Sequence, residues 1–224
     1  HLIHDKKETL RRRLIAQGVN YIISLFDERL DRDEVWSRKV LLDYYFIFFQ
    51  EILDDPTLGL IVKPKVNNIF QELHELKPLL SKVLSTKRCL ILLDEKDKYG
   101  EVQRNNSEFA FTAGLASNVS VNLMCSTGVE NWLGGIPAVY YDPLHLQDGD
   151  LYKTNVKGNV IYQNLDNLIQ AIRNDRKFPS GLTEFGSHEA IADNIDPFRD
   201  GRAGQRIGNY IRWLLDSMNA GQSR

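Results

Sequence analysis

The sequence predicts an α/β fold, a three-layer sandwich with helices on both faces of a mostly parallel sheet of about six strands. Three observations carry this. Short apolar runs alternate with stretches of helical periodicity along the chain. The runs are continuously apolar, as in strands buried on both faces. Strand and helix alternate in the order that builds parallel sheets.

The elements follow in chain order. Residues 1–18 read as a lead-in and Tyr21–Phe26 (YIISLF) as the first strand. A helix over Val35–Leu53 places Leu41, Tyr45, Phe48 and Ile52 on one stripe, widened by Leu42, Phe46, Phe49 and Leu53. Leu58–Val62 is the second strand. Asn68–Leu84 is helical, with Pro78 expected to start a new turn or kink it. Cys89–Leu93 is the third strand, Ser107–Ala116 a short helix, and Val119–Met124 the fourth strand. Gly128–Leu133 is helical, Pro137–Tyr141 the fifth strand, and Val160–Tyr162 a candidate sixth, followed by a helix over Leu165–Arg173. Text rich in Gly, Pro, Asp and Asn reads as a loop over 174–200, and an amphipathic helix, Ala203–Met218, closes the chain within segment 201–219. Residues 1–224 together read as one domain.

Composition excludes several classes. A net charge of -2 gives no basic field for nucleic acid. Apolar residues make up 42% of the chain, the profile of a soluble globular protein. No run of apolar residues is long enough to span a membrane. Cys89 and Cys125 lack metal-ligand or CxxC spacing, which predicts a reducing compartment and no zinc site. His4, His74, His145 and His188 form no cluster. The start, HLIHDKKETLRRR, is charged, carries no secretory signal and lacks an initiator Met, so the chain reads as a fragment or a processed product. Arg11–Arg13 read as a solvated helix end rather than a membrane-binding patch.

Ligands of parallel sheets bind beyond the carboxyl ends of the strands, so the residues after each strand are the candidates. Ser126-Thr127-Gly128-Val129-Glu130 follows a strand and opens a helix. The free N–H groups there, with the Ser126 and Thr127 hydroxyls, suit an anion; Gly128 lets a ligand approach the backbone, and Glu130 suits a sugar diol. Thr127-x-x-Glu130 also reads as a capping box, with Thr127 on the N3 amide and Glu130 reaching back. The local spacing leaves both readings open. Lys63-Pro64-Lys65 holds two ammonium groups toward one side of an extended segment, suited to a phosphate or carboxylate; two solvated lysines are the alternative.

In DPFRDGRAGQR, residues 196–206, Asp200 is a candidate N-cap, Arg199 and Arg202 are candidate phosphate ligands, and Arg202 and Arg206 share a helix face. Surface ion pairing is the alternative for these arginines. Gly201, Gly204 and Gly208 share another face and cost the helix about 1 kcal/mol each relative to Ala, which predicts close backbone packing on the sheet or on a partner domain. Asp27 and Glu28 after the first strand, and Asp142 after the fifth, are weaker acid/base candidates, with solvated loop acids the alternative. The chain has no G-x-S-x-G, Walker or G-x-G-x-x-G motif.

Residues 119–142, VSVNLMCSTGVENWLGGIPAVYYD, resemble the donor-binding segment of GT-B (two-Rossmann-lobe) glycosyltransferases. In that family a strand is followed by a Ser/Thr–x–x–Glu helix and then by G-x-P-x-x-x-x-D. The segment is similar above all to bacterial surface-carbohydrate biosynthesis proteins, a group related in this lobe to capsule Kdo transferases and CDP-glycerol glycerophosphotransferases. DPFRDGRAGQRIGNYIRWLL resembles the closing helix of that group, and LGLIVKPKV its K-P-H/K strand end. The resemblance runs loosely over residues 19–218.

It implies a Rossmann-like, C-terminal lobe that holds an activated sugar. Ser126 and Thr127 would meet the donor phosphate, Glu130 the ribose hydroxyls, and Lys63 or Lys65 would neutralise phosphate charge as the nucleotide leaves. Lys65 stands where the family often has His, which puts a titrating imidazole role in doubt. The implied partners are a nucleotide-sugar donor, a glycan or lipid-linked acceptor and a preceding N-terminal lobe; no cofactor is implied, since the activated sugar is the substrate. The implied location is the cytoplasm, peripheral at the inner membrane face. The acceptor lobe, which in the family supplies the catalytic base, has no room in this chain, so transfer by the chain alone stays open. A nucleotide-sugar 2-epimerase and a non-catalytic α/β interaction module are the alternative functions.

Overall fold

The sheet is built from β1 (Tyr21–Phe26), β2 (Leu58–Lys63), β3 (Cys89–Ile91), β4 (Val119–Asn122), β5 (Ala138–Tyr141) and β6 (Ile161–Tyr162). All neighbours pair in parallel, in the order β3-β2-β1-β4-β5-β6. The computed structural model describes residues 2–30, 37–93, 106–123, 125–145, 160–177, 185 and 196–219. The chain builds outward from β1 through β2 and β3, then returns to lay β4 on the other side of β1. That reversal opens a crevice beyond the carboxyl ends of β1 and β4, where parallel sheets bind ligands.

Eight α-helices are described: α1 (Leu2–Ile15), α2 (Arg38–Asp54), α3 (Ile69–Glu72), α4 (Lys77–Ser85), α5 (Asn106–Leu115), α6 (Thr127–Leu133), α7 (Leu165–Asp175) and α8 (Ala203–Asn219). The two-residue period of β1 sorts them into layers. Tyr21, Ile23 and Leu25 join the core with residues of α2, α3, α4 and α7. Ile22 and Phe26 join the opposite core with Leu14 of α1 and Ala113 of α5. The predicted three-layer α/β sandwich is therefore the observed one.

Several elements differ in detail. Segment 1–18, expected as a lead-in, holds a helix: Leu14 is fully buried, and the Arg11 Nη1 donates to the Ala116 carbonyl at 2.8 Å, so this arginine is not a solvated end. Ser37 sets the start of α2 by accepting a hydrogen bond from the Val40 amide; positions 35 and 36 of the expected helix lie outside the described residues. Tyr44, Tyr45, Phe48 and Phe49 are wholly buried, while Phe46 is 54% exposed, so the apolar stripe is shifted toward Tyr44. Each such ring removed from water stabilises by about 1.5–3 kcal/mol. The predicted helix over 68–84 is broken into α3, a 3-10 turn (His74–Leu76) and α4. Pro78 lies in the first turn of α4, where its missing N–H costs nothing. Helix α7 runs to Asp175, shortening the expected loop.

Helix α8 is the exception to layer packing. None of its described residues is buried, and Ile207, Tyr210, Ile211, Trp213, Leu215 and Met218 are each at least half exposed. A Cβ at Gly204 or Gly208 would meet nothing within 4 Å, so the close backbone packing expected of the glycines is not found among the described residues. Gly201 instead serves a turn, at φ +69. Among the described residues no helix is long and apolar enough to cross a membrane.

Candidate functional site

Three strand ends meet at one place. Phe26 of β1 pairs with Lys63 of β2 on one side and with Asn122 of β4 on the other. The next residues, Asp27, Pro64-Lys65 and the Cys125–Ser126 turn, therefore emerge side by side. They enclose a cleft of about 250 Å³. One wall carries Lys63, Pro64 and Lys65; the other carries Cys125, Ser126, Thr127 and Glu130; Phe26 and Asp27 lie between, and Ala110 of α5 completes the lining.

Asp27 is 3% exposed, not the solvated loop acid of the sequence alternative. Its Oδ2 accepts from the Tyr45 hydroxyl at 2.7 Å, and its Oδ1 accepts from the Lys65 amide. Burial pushes its carboxyl up to about 7, and the neighbouring Glu28 adds to the rise; the Tyr45 and Lys65 hydrogen bonds and the Lys63 charge oppose it. Removing water from an isolated carboxylate destabilises the ionised form, and these partners offset only part of that cost. The group thus exchanges its proton near neutrality. Glu28, half-buried, pairs with the Lys65 ammonium at 3.3 Å.

Both lysines line the cleft. Lys63 is 5% exposed, so the solvated-lysine alternative fails there, and its Nζ donates to the Pro64 carbonyl at 3.0 Å. Lys65 is exposed and holds Glu28 by a single contact.

On the facing wall the capping box does not form. Ser126, not Thr127, is the N-cap of α6, its backbone is helical, and no side-chain cap bond is made. Thr127 is already the first helical residue, so its hydroxyl cannot reach the N3 amide as a cap does. The Ser126 hydroxyl donates instead to Glu130 Oε1 at 3.2 Å, and both residues are exposed to the cleft. Gly128 does not line the cleft: a Cβ there would stand 2.5 Å from the Tyr140 hydroxyl, so its smallness serves this ring rather than a ligand. Cys125 is buried, and burial pushes its thiol up to about 11, the Thr127 hydrogen bond opposing, so it is a poor nucleophile at neutral pH.

The remaining candidates lie elsewhere. Asp142 follows β5 and is buried, outside the cleft lining. Arg199 and Arg202 are exposed in the turn before α8 and are also absent from the lining. Asp200 accepts the Arg202 amide at 3.0 Å and two bonds from the Arg206 guanidinium, at 3.0 and 2.8 Å. Arg206 also lies 3.8 Å from the centre of the Phe198 ring, so it is committed to local contacts. Among the described residues no group of three His, Cys, Asp or Glu side chains is placed to hold a metal.

The sequence reading did not mark Tyr45, Cys125, Phe26 or Ala110 as parts of this site. Tyr45 looked like one more member of an aromatic stripe, and only the folded contact shows its hydroxyl on Asp27.

No protein-family model matches the chain, and no curated protein sequence matches it. Among solved structures, its fold is similar to S. aureus MnaA in complex with UDP, at 16% identity and a TM-score of 0.50, covering 96% of this chain and 48% of that one. It is also similar to the wall teichoic acid polymerase TagF, at 16% identity and a TM-score of 0.49, with the same 96% and 48% coverage. The chain spans about half the length of these solved chains. At this identity the likeness establishes the fold: a Rossmann-like α/β unit with a parallel six-stranded sheet.

Proposed function

We propose that this chain is the nucleotide-sugar-binding lobe of a glycosyltransferase in bacterial surface polysaccharide biosynthesis. The observation that carries the reading is the cleft itself. Two lysines face two hydroxyls and a carboxylate across the carboxyl ends of β1, β2 and β4. Ammonium groups at a strand end suit the donor phosphates, and their charge offsets the negative charge that grows on a departing nucleotide. Ser126 and Thr127 add hydroxyl donors, and Glu130 suits a ribose diol. The acceptor, a glycan or lipid-linked sugar, would be presented by a preceding lobe, with the chain working in the cytoplasm at the inner membrane face. Arg199 and Arg202, candidate phosphate ligands on sequence, lie outside the cleft lining and have no part in this reading.

One observation favours a second reading, a nucleotide-sugar 2-epimerase. Such an enzyme needs acid/base carboxyls in its cleft, and Asp27 and Glu130 both line this one.

Titration calorimetry with UDP, CDP and CMP tests the shared core of both readings. Binding of at least one nucleotide is expected, weakened about tenfold or more by Glu130→Ala. Because Glu130 is exposed and, among the described residues, its side chain bonds only Ser126, its loss should leave stability within about 0.5 kcal/mol of wild type. No binding of any of the three by the wild type would overturn the reading and leave a non-catalytic α/β module.

A further inference from the structure

Asp27 occupies a place that the phosphate-binding reading does not use. It is buried, it lines the cleft, and it sits between the lysine wall and the hydroxyl wall. We propose that Asp27 couples binding of the anionic donor to the uptake of a proton, by competing with the donor's phosphates for the charge of Lys63 when ionised and releasing that charge when protonated. The inference rests on the nucleotide-sugar reading of the same cleft.

The geometry supplies both states. Ionised, the carboxylate accepts from the Tyr45 hydroxyl and from the Lys65 amide. Protonated, it keeps both contacts, because its O–H can donate to the Tyr45 oxygen while the other oxygen still accepts from Lys65. No rearrangement of the strand end is needed. The titratable groups facing it among the described residues are Tyr44 and Tyr45 from α2, Glu28 on its own loop, and Lys63 and Lys65 from the end of β2, with Cys125 and Glu130 on the far wall. Both tyrosines are pushed upward by burial, and Cys125 is pushed up to about 11 by burial, so these three stay neutral while Asp27 titrates near 7.

An anion placed on the lysines adds negative charge beside Asp27 and takes away its compensation. Both effects favour the protonated carboxyl. Linkage makes the relation reciprocal: whatever raises proton affinity on ligand binding raises ligand affinity on proton binding. Affinity should therefore fall as pH rises through neutrality. Up to one proton enters from solvent per ligand bound, the full proton only where Asp27 is ionised beforehand, and no covalent step is involved.

UDP-glucose is the suitable probe. It is a pyrophosphate diester with no phosphate that titrates near neutrality, so its own charge is constant. Calorimetry in buffers of different ionisation enthalpy should show protons taken up on binding at pH 7, with affinity falling about tenfold between about pH 6 and pH 8, inside the usual range of coupling. Asp27→Asn, a mimic of the protonated state, should abolish uptake, flatten the profile and bind about tenfold tighter than wild type at pH 8. Tyr45→Phe removes one hydrogen bond that favours the carboxylate, so it should move the midpoint of the profile to higher pH. It also decides the matter if the Asn variant does not fold. A purely structural Asp27 would instead give weaker binding by Asp27→Asn at every pH, which overturns the coupling. Wild-type binding that ignores pH and buffer overturns it too, and leaves the nucleotide-sugar reading intact. No binding by the wild type overturns both.

Discussion

Strand β1 has a buried tyrosine–aspartate pair at each end, and the two pairs do different work. At the entry, the Tyr21 hydroxyl donates to Asp175 at 2.6 Å; at the exit, the Tyr45 hydroxyl donates to Asp27 at 2.7 Å. The chemistry is the same, and the company differs. Around the entry pair, arginines are forked onto carboxylates: Arg173 bonds both oxygens of Glu51, and Arg176 joins Asp55 and Thr57 while lying 5.6 Å from the Tyr21 ring centre. Planar guanidinium forks fix geometry in two directions and saturate their partners. Around the exit pair the cations are lysines, compact charges on flexible stems, and one of them holds only a single contact to Glu28. The exit also faces the open volume of the cleft. A buried acid among saturated forks is a staple; the same acid beside lysines and a cleft is a candidate site.

The largest effect that sharpens this contrast concerns pH. The Asp27 carboxyl rises from 3.8 in the unfolded chain to about 7 in the folded one. Between those values the folded protein binds more protons than the unfolded chain, so stability falls as pH rises and is lowest above the folded value. A shift of this size corresponds to up to about 4 kcal/mol across the window. Denaturant midpoints measured from pH 4 to pH 8 should fall more steeply for wild type than for Asp27→Asn. Parallel curves for the two proteins would remove the buried, titrating acid from the exit.

Next in size is the entry pair. Asp175→Ala should leave the Tyr21 hydroxyl buried without that acceptor and cost about 1–3 kcal/mol of stability, while nucleotide affinity stays at the wild-type value. A loss of affinity matching the loss at the cleft would erase the division between the two ends.

These contrasts also mark what the sequence could and could not say. The strands were legible because apolar runs such as YIISLF and CLILL are continuous, and a double-faced sheet demands that. Their parallel order followed from the helices between them. Lys63, Lys65, Ser126, Thr127 and Glu130 were legible as candidates because each stands just past a strand, and they do share one cleft. Asp27 was underweighted because its importance lies in burial and in Tyr45, and a tyrosine inside an aromatic stripe carries no mark of which way its hydroxyl points. The capping box failed for a similar reason: Ser-Thr at a helix start permits a frame shift of one residue, and the helix took Ser126 as its cap. The glycines of α8 predicted close packing that the described residues do not supply.

On the proposed reading, the exit end of β1 binds phosphate through its lysines. The most direct measurement is the affinity of UDP and of uridine for wild type and for the Lys63→Ala, Lys65→Ala double variant. Loss of two charge-assisted contacts, each worth about 1.5–3 kcal/mol, should weaken UDP at least tenfold and leave uridine unchanged. Equal weakening of both ligands, or of neither, would contradict the claim.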